Sequence, residues 1–412
     1  MERIVVVGAS LAGLRAAETL RGDGFVGSIT VVGSELHRPY DRPPLSKRLL
    51  SGDWDADRVS LRRLEVFDEL DVQWRLGAAA TSLDLPDRLV RLADHTEVSF
   101  DALVLACGAT ARALPGTPWS GRGELAGDGP YVTALRTLDD SLALREHLAQ
   151  GHRRVVVIGA GFIGLEVAAT ARGLGNDVVV LEGAPAPLMR ALGAEMGTAV
   201  AAFHADHGVS IRCDVRVEGV GPDGVLLAGQ EVVTADVVVV GIGVTPATDW
   251  LAGSGLELAD GIVCDATLAA EGAPAGTPVF AAGDVARWHN PLFDEEMRVE
   301  HWTNAAEQGA VVAKNLLALA AGRAPEPYAP VPFFWSDQYD RRVQFLGRAS
   351  PDDEIEIVVG SVADRKFLAL FGREGRLRGA LGLNVPKLVM PHRRLLEDRV
   401  SWTEALDRAR AL

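Results

Sequence analysis

Val155-Val156-Val157-Ile158-Gly159-Ala160-Gly161-Phe162-Ile163-Gly164 decides the fold of this chain. Four consecutive β-branched residues read as a strand buried on both faces, and the glycines that follow have the pattern GxGxxG. A helical stretch runs on through Ala171, and a second apolar strand, Asp177–Leu181, ends at Glu182. Together these form a strand–turn–helix–strand unit with an acid just past its second strand, the context in which the glycine pattern binds a dinucleotide. The first glycine makes the tight turn. The second lets a pyrophosphate approach the backbone, and the third lets helix and strand pack closely. The helix N-terminus adds partial positive charge.

The same order of parts stands at the start of the chain. Strand Ile4–Val7 leads into Gly8-Ala9-Ser10-Leu11-Ala12-Gly13, then a helix over Leu14 to Leu20, then strand Ser28–Val32 with Glu35 beyond it. Ser10 holds the place of the second glycine and brings a hydroxyl that can donate to phosphate. One such pattern is common, whereas two in this context predict a protein with two dinucleotide sites. Leu103-Val104-Leu105-Ala106-Cys107-Gly108 and Val237–Val240-Gly241-Ile242-Gly243 read as closing strands of the two units. Val279-Phe280-Ala281-Ala282-Gly283-Asp284 ends a further strand on a lone carboxylate. Pro325, Pro327, Pro330 and Pro332 mark a linker, and short strands near Val343–Leu346, Glu354–Val359 and Phe367–Phe371 predict a separate α+β domain.

A length of 412 residues is too great for one ordinary domain. A formal charge of −15 excludes a nucleic-acid partner, which calls for a basic footprint. Glycine or charge interrupts every apolar run before it could span a bilayer. No basic leader precedes the first strand, so a cytoplasmic location is expected. The three cysteines, Cys107, Cys213 and Cys264, lie far apart, which argues against a disulfide framework or thiolate metal site. His204 and His207 lack accompanying metal ligands and read as solvated surface residues, so no metal is expected.

At these residues the chain resembles the two-dinucleotide-binding-domain flavoproteins, and within them the ferredoxin and rubredoxin reductases of monooxygenase and dioxygenase systems. The stretches that carry the likeness are Arg38-Pro39-Tyr40-Asp41-Arg42-Pro43-Pro44-Leu45-Ser46-Lys47, the second glycine pattern with Leu165-Glu166, Ala282-Gly283-Asp284, and Phe334-Trp335-Ser336-Asp337-Gln338. The resemblance implies an α/β fold of two Rossmann-type domains, one inserted in the other, plus a C-terminal α+β domain. The expected map is an FAD domain over 1–113 and 246–324, an NAD domain over 114–245, and a C-terminal domain over 325–412. The implied cofactors are FAD and NAD(H). For FAD the candidate residues are Gly8, Ser10, Leu11, Ala12, Gly13, Glu35, Arg42, Lys47, Ala80, Ala106, Cys107, Gly108, Arg136, Asp284 and Trp302. For NAD(H) they are Gly159, Gly161, Phe162, Ile163, Gly164, Glu182 and Gly243. The family often carries its ribose acid where this chain has Ser34, and Glu35 is the substitute.

Lys47 and Glu166 are the candidate catalytic pair. Lys47 follows a proline-rich loop and is expected to begin a helix, with its ammonium near flavin N5 and paired to Glu166, where a cation stabilises the reduced ring. Asp284 is expected to accept hydrogen bonds from the ribityl chain, a role to set beside that of a helix cap. Trp302 is expected to open the following helix, either near the flavin or as an ordinary packing aromatic. Glu182 favours the free 2′-hydroxyl of NADH over the 2′-phosphate of NADPH. Arg190, past Pro185 and Pro187, is read as incidental.

Isolated cysteines point the electrons to an external acceptor, which the resemblance makes a two-iron ferredoxin. Arg287, Arg341-Arg342 and Arg393-Arg394 are candidates for a local basic docking face. Two other readings stand beside this one. The first is an NADH oxidase or quinone-type reductase without a protein acceptor. The second is a redox interaction protein resembling apoptosis-inducing factor. Oligomeric state is left open by the sequence.

Overall fold

The computed structural model describes residues 1–115 and 129–411. Residues 116–128, part of the expected NAD domain, lie outside them. The chain divides into two units. The first holds Met1–Asp41, Ser60–Thr110 and Thr245–Pro332; the second holds Arg42–Val59, Ala111–Val244 and Phe333–Leu412.

In the first unit, strand Arg3–Val7 lies at the centre of a five-stranded parallel sheet. The order is Val279–Ala281, Ala102–Leu105, Arg3–Val7, Ser28–Val32, Gln73–Arg75. Ile4 to Val7 are all buried, as a strand with both faces covered requires. Helix Leu11–Gly22 follows the first glycine turn, three residues earlier than the sequence suggests, and helix Trp302–Ala320 packs along it. A small antiparallel sheet of Ala80–Asp84, Leu89–Leu92 and Glu97–Ser99 and a small mixed sheet of Ile262–Cys264, Ala286–Asn290 and Glu295–Arg298 complete the unit.

The second unit repeats the architecture. Strand Arg154–Ile158 is the centre of the order Ser210–Arg212, Asp177–Leu181, Arg154–Ile158, Val237–Val240, Tyr131–Ala134, again parallel throughout. Helices Leu138–Leu148, Phe162–Gly173 and Met189–Asp206 accompany it, the last interrupted at Gly193. The C-terminal part is a five-stranded antiparallel sheet in the order Phe333–Gln338, Arg341–Gly347, Arg376–Leu383, Lys366–Arg373, Glu354–Ser361. Three short helices follow between Pro386 and Arg410. Its outer strand Phe333–Gln338 lies against helix Phe162–Gly173, where the Phe162 and Phe334 rings meet edge to face at 4.8 Å. The fold is thus two Rossmann-type units with a C-terminal α+β part, as expected.

Candidate functional site

The two glycine turns differ from ordinary turns in what surrounds them. A Cβ on Gly159 would lie 2.4 Å from the Gly241 carbonyl oxygen, and one on Gly164 would lie 2.1 Å from that of Gly159. These two glycines are demanded by the protein's own packing. Gly161 is not, because no protein atom lies within 4 Å of the Cβ it lacks. It stands at the N-cap of helix Phe162–Gly173 and offers no side chain to the helix's first-turn N–H groups. A backbone kept bare beside open space at a helix N-terminus fits a phosphate group. Ile163, in that first turn, is 43% exposed for a large apolar side chain.

Glu182 completes this cradle. Its Oε2 accepts from the Ala160 N–H at 2.6 Å and its Oε1 from the Ala184 N–H at 2.8 Å. Those bonds fix the carboxylate and leave further lone pairs for ribose hydroxyls. Gly243 lies in the turn after strand Val237–Val240 at φ 99°, its carbonyl taken by the Arg112 N–H.

The first unit carries the corresponding parts. A Cβ on Gly8 would fall 2.0 Å from the Ala106 carbonyl oxygen, and one on Gly13 would fall 1.9 Å from that of Gly8. Ser10 is the extended N-cap residue of helix Leu11–Gly22, and Ala12 lies in its first turn. Glu35, three residues past strand Ser28–Val32, accepts from the Tyr40 hydroxyl at 2.6 Å. Asp284 sits in a short 3-10 turn, Gly283–Val285, whose Gly283 N–H donates to the buried Gln308 Oε1 at 2.8 Å. Asp284 therefore does not cap the next long helix, whose N-cap is His301. Trp302 opens that helix, 38% exposed, and its indole N–H donates to Asp41 at 2.7 Å. Ala80 begins strand Ala80–Asp84, and Gly108 follows Cys107 at φ 69°. The Cys107 thiol donates to the Ala247 carbonyl, and burial pushes it up to about 11.

Lys47 and Glu166 both belong to the second unit and form an ion pair at 2.6 Å, with the Glu166 side chain almost fully buried. Lys47 does not begin a helix. The Pro43-Pro44 pair forms the 3-10 turn Pro43–Ser46, and Lys47 ends it with φ −125° and ψ −107°. Three bonds anchor the turn: Ser46 Oγ donates to Glu166 at 2.5 Å, Thr170 Oγ1 donates to the Ser46 carbonyl at 2.7 Å, and Ser141 Oγ donates to that of Leu45 at 2.7 Å. Phe162, Glu166 and Thr170, four residues apart, thus share one helix face. Arg42 donates to the Arg136 carbonyl, and the Arg136 N–H to Asp140.

The structure corrects the reading of His204. It is fully buried, its Nε2 lies 2.7 Å from Gln338 Oε1, and burial lowers it to about 4, with His207 acting in the same direction. Nothing near it in sequence announces this, because its partner lies 134 residues away. Of the docking candidates, Arg341, Arg342, Arg287 and Arg394 pair with Asp340, Asp337, Glu296 and Asp398. No group of metal-ligating side chains occurs among the described residues, and none of their helices is long and apolar enough to cross a membrane.

Comparison with known proteins follows the same lines. Residues 2–309 match the family described as pyridine nucleotide-disulphide oxidoreductase, and residues 333–411 match the family described as reductase C-terminal. The chain is 36% identical to rhodocoxin reductase of Rhodococcus erythropolis, over 97% of this chain and 90% of that protein. It is also 36% identical to the ferredoxin--NAD(+) reductase component of the anthranilate 1,2-dioxygenase system of Burkholderia cepacia, over 95% and 93%. Among solved structures, the covalent putidaredoxin reductase–putidaredoxin complex matches with a TM-score of 0.89 at 30% identity, covering 100% of this chain and 98% of that one. The duplicated cradle and these matches together place the chain in the pyridine nucleotide-disulphide oxidoreductase family, with a reductase C-terminal domain.

Proposed function

We propose that this chain is an FAD-containing, NADH-dependent reductase, cytoplasmic, that passes electrons to a two-iron ferredoxin serving a monooxygenase or dioxygenase. The observation that carries the reading is the bare, open position at Gly161 beside the fixed Glu182 carboxylate. Both relatives above are named as reductases, one of them as a ferredoxin--NAD(+) reductase component, and a solved neighbour is a complex with putidaredoxin.

The residues proposed for FAD are Gly8, Ser10, Leu11, Ala12, Gly13, Glu35, Arg42, Lys47, Ala80, the Ala106-Cys107-Gly108 turn, Arg136, Asp284 and Trp302. NADH belongs to the second unit, on Gly159, Gly161, Phe162, Ile163, Gly164, Glu182 and Gly243. When bound, FAD would supply the redox chemistry, hydride acceptance from NADH and release of electrons one at a time. The chain's own groups bind and tune. Glu182 accepts from the ribose hydroxyls and repels a 2′-phosphate. Lys47 supplies the positive charge that a reduced flavin calls for, and Glu166 holds the ammonium in place. All three cysteines are free and separate, and burial raises the thiols of Cys107 and Cys264, so a thiolate relay has no support.

Flavin release and anaerobic titration test this reading. The purified protein is expected to release FAD and to bleach with one equivalent of NADH. Comparable bleaching should need at least about tenfold more NADPH, the discrimination of one unfavourable charged contact. A colourless protein, or preferential bleaching by NADPH, would reject it.

A further inference from the structure

Alternate residues of strand Phe333–Gln338 face the second Rossmann sheet's helices. Phe334 meets Phe162, Ser336 Oγ lies 2.5 Å from Glu166 Oε1, and Gln338 Oε1 lies 2.7 Å from His204 Nε2. Gln338 Nε2 is 3.0 Å from Ser336 Oγ, and the Tyr339 hydroxyl is 3.2 Å from His204 Nδ1. Ser336, Gln338 and His204 are buried.

The direction of every bond in this chain follows from its end. The Glu166 carboxylate, paired with Lys47, can only accept, so Ser336 must donate to it. Ser336 Oγ can then only accept from Gln338, which must present its NH₂. Gln338 Oε1 consequently faces His204, whose Nε2 must carry a hydrogen. His204 Nδ1 is left as an acceptor, and the Tyr339 hydroxyl donates to it. Four donations run one way, from Tyr339 to Glu166. An amide in the middle makes this a chain of fixed dipoles, not a path for protons.

We propose that Ser336, Gln338 and His204 are positioning residues for the Lys47–Glu166 pair, through which the C-terminal sheet fixes the carboxylate that holds the Lys47 ammonium. Its bearing on turnover rests on the reading of Lys47 given above, while the geometry of the pair does not.

Lys47 reactivity reads out the positioning directly. The chain has four lysines, and Lys314, Lys366 and Lys387 are exposed. Competitive acetylation of the FAD-loaded protein, followed by mass spectrometry, gives the rate at Lys47 relative to Lys314. Ser336→Ala is expected to raise that ratio about tenfold, as loss of a hydrogen bond to a charged group implies, and Gln338→Leu, which frees the Ser336 hydroxyl, should raise it in the same direction. His204→Leu should do likewise, whereas His204→Gln, which keeps a donor for Gln338, should restore most of the wild-type ratio. In turnover, kcat should fall with the KM for NADH unchanged. Ser336→Ala removes one oxygen and keeps the shape, so it serves if the larger changes do not fold. Lower melting temperatures with an unaltered Lys47 ratio would overturn the proposal, leaving the strand a packing element only. If Lys47→Met reduced its flavin at the wild-type rate, the role of Lys47 in turnover would fail instead, and the acetylation ratios would still decide the positioning.

Discussion

Gly161 and Gly164 are three residues apart in one pattern, yet they answer to different constraints. A methyl at Gly164 meets a backbone oxygen at 2.1 Å, while one at Gly161 meets open space. Gly164→Ala should therefore destabilise the fold by about 3 kcal/mol, visible in urea unfolding. Gly161→Ala should unfold like wild type while the KM for NADH rises about tenfold, because the added carbon takes space reserved for ligand. Equal stability losses in both variants would contradict the assignment. These glycines and Glu182 were legible because a local turn sets their spacing. Ser336 and His204 were not, since their partners lie 170 and 134 residues away and only the folded chain brings them together.

Elements were legible where their pattern was apolar and local. The parallel strands around Val5 and Val156 are buried on both faces and read directly as apolar runs. Strand Phe333–Gln338 was missed because its inward face carries Ser336 and Gln338, polar groups that alternation assigns to solvent. Strand Arg376–Leu383 hid behind Gly379 and Gly382, residues that ordinarily weaken strands. Lys47 was expected to start a helix, but tandem prolines favoured a short 3-10 turn. Helix Leu138–Leu148 begins with a reciprocal capping box between Thr137 and Asp140, so Thr137→Ala should cost about 1 kcal/mol in denaturant unfolding.

Helix Met189–Asp206 carries a pH dependence through His204. Its folded value, about 4, lies below the ordinary 6.5, so the unfolded chain takes up the proton first as pH falls. Stability is full above about pH 6.5 and declines toward pH 4, by up to about 3 kcal/mol. His392 is lowered as well and adds loss of the same sign. Chemical unfolding at pH 7 and pH 5 should show the loss, and His204→Gln should remove most of the difference. An unchanged difference in that variant would assign the effect elsewhere.

At the scale of the whole molecule, the charge of −15 and the pairing of the arginines both bear on how an acidic partner is met. Of the five candidates, Arg287, Arg341, Arg342 and Arg394 each face a carboxylate, and Arg393 alone of them has no ion pair among the described residues, so no cluster of unpaired positive charge forms. The KM for ferredoxin should accordingly change less than about threefold between about 50 and about 200 mM salt, roughly the range over which screening acts. A steep rise with salt would point to a strong basic face and revive those arginines as its centre.

The central claim is that electrons from NADH leave through a ferredoxin. It is tested most directly by NADH oxidation with cytochrome c as the final sink, with and without a two-iron ferredoxin. The account predicts a large ferredoxin-dependent rate with NADH and a much smaller one with NADPH. Rapid NADH consumption in air, unchanged by ferredoxin, would contradict it and favour an oxidase.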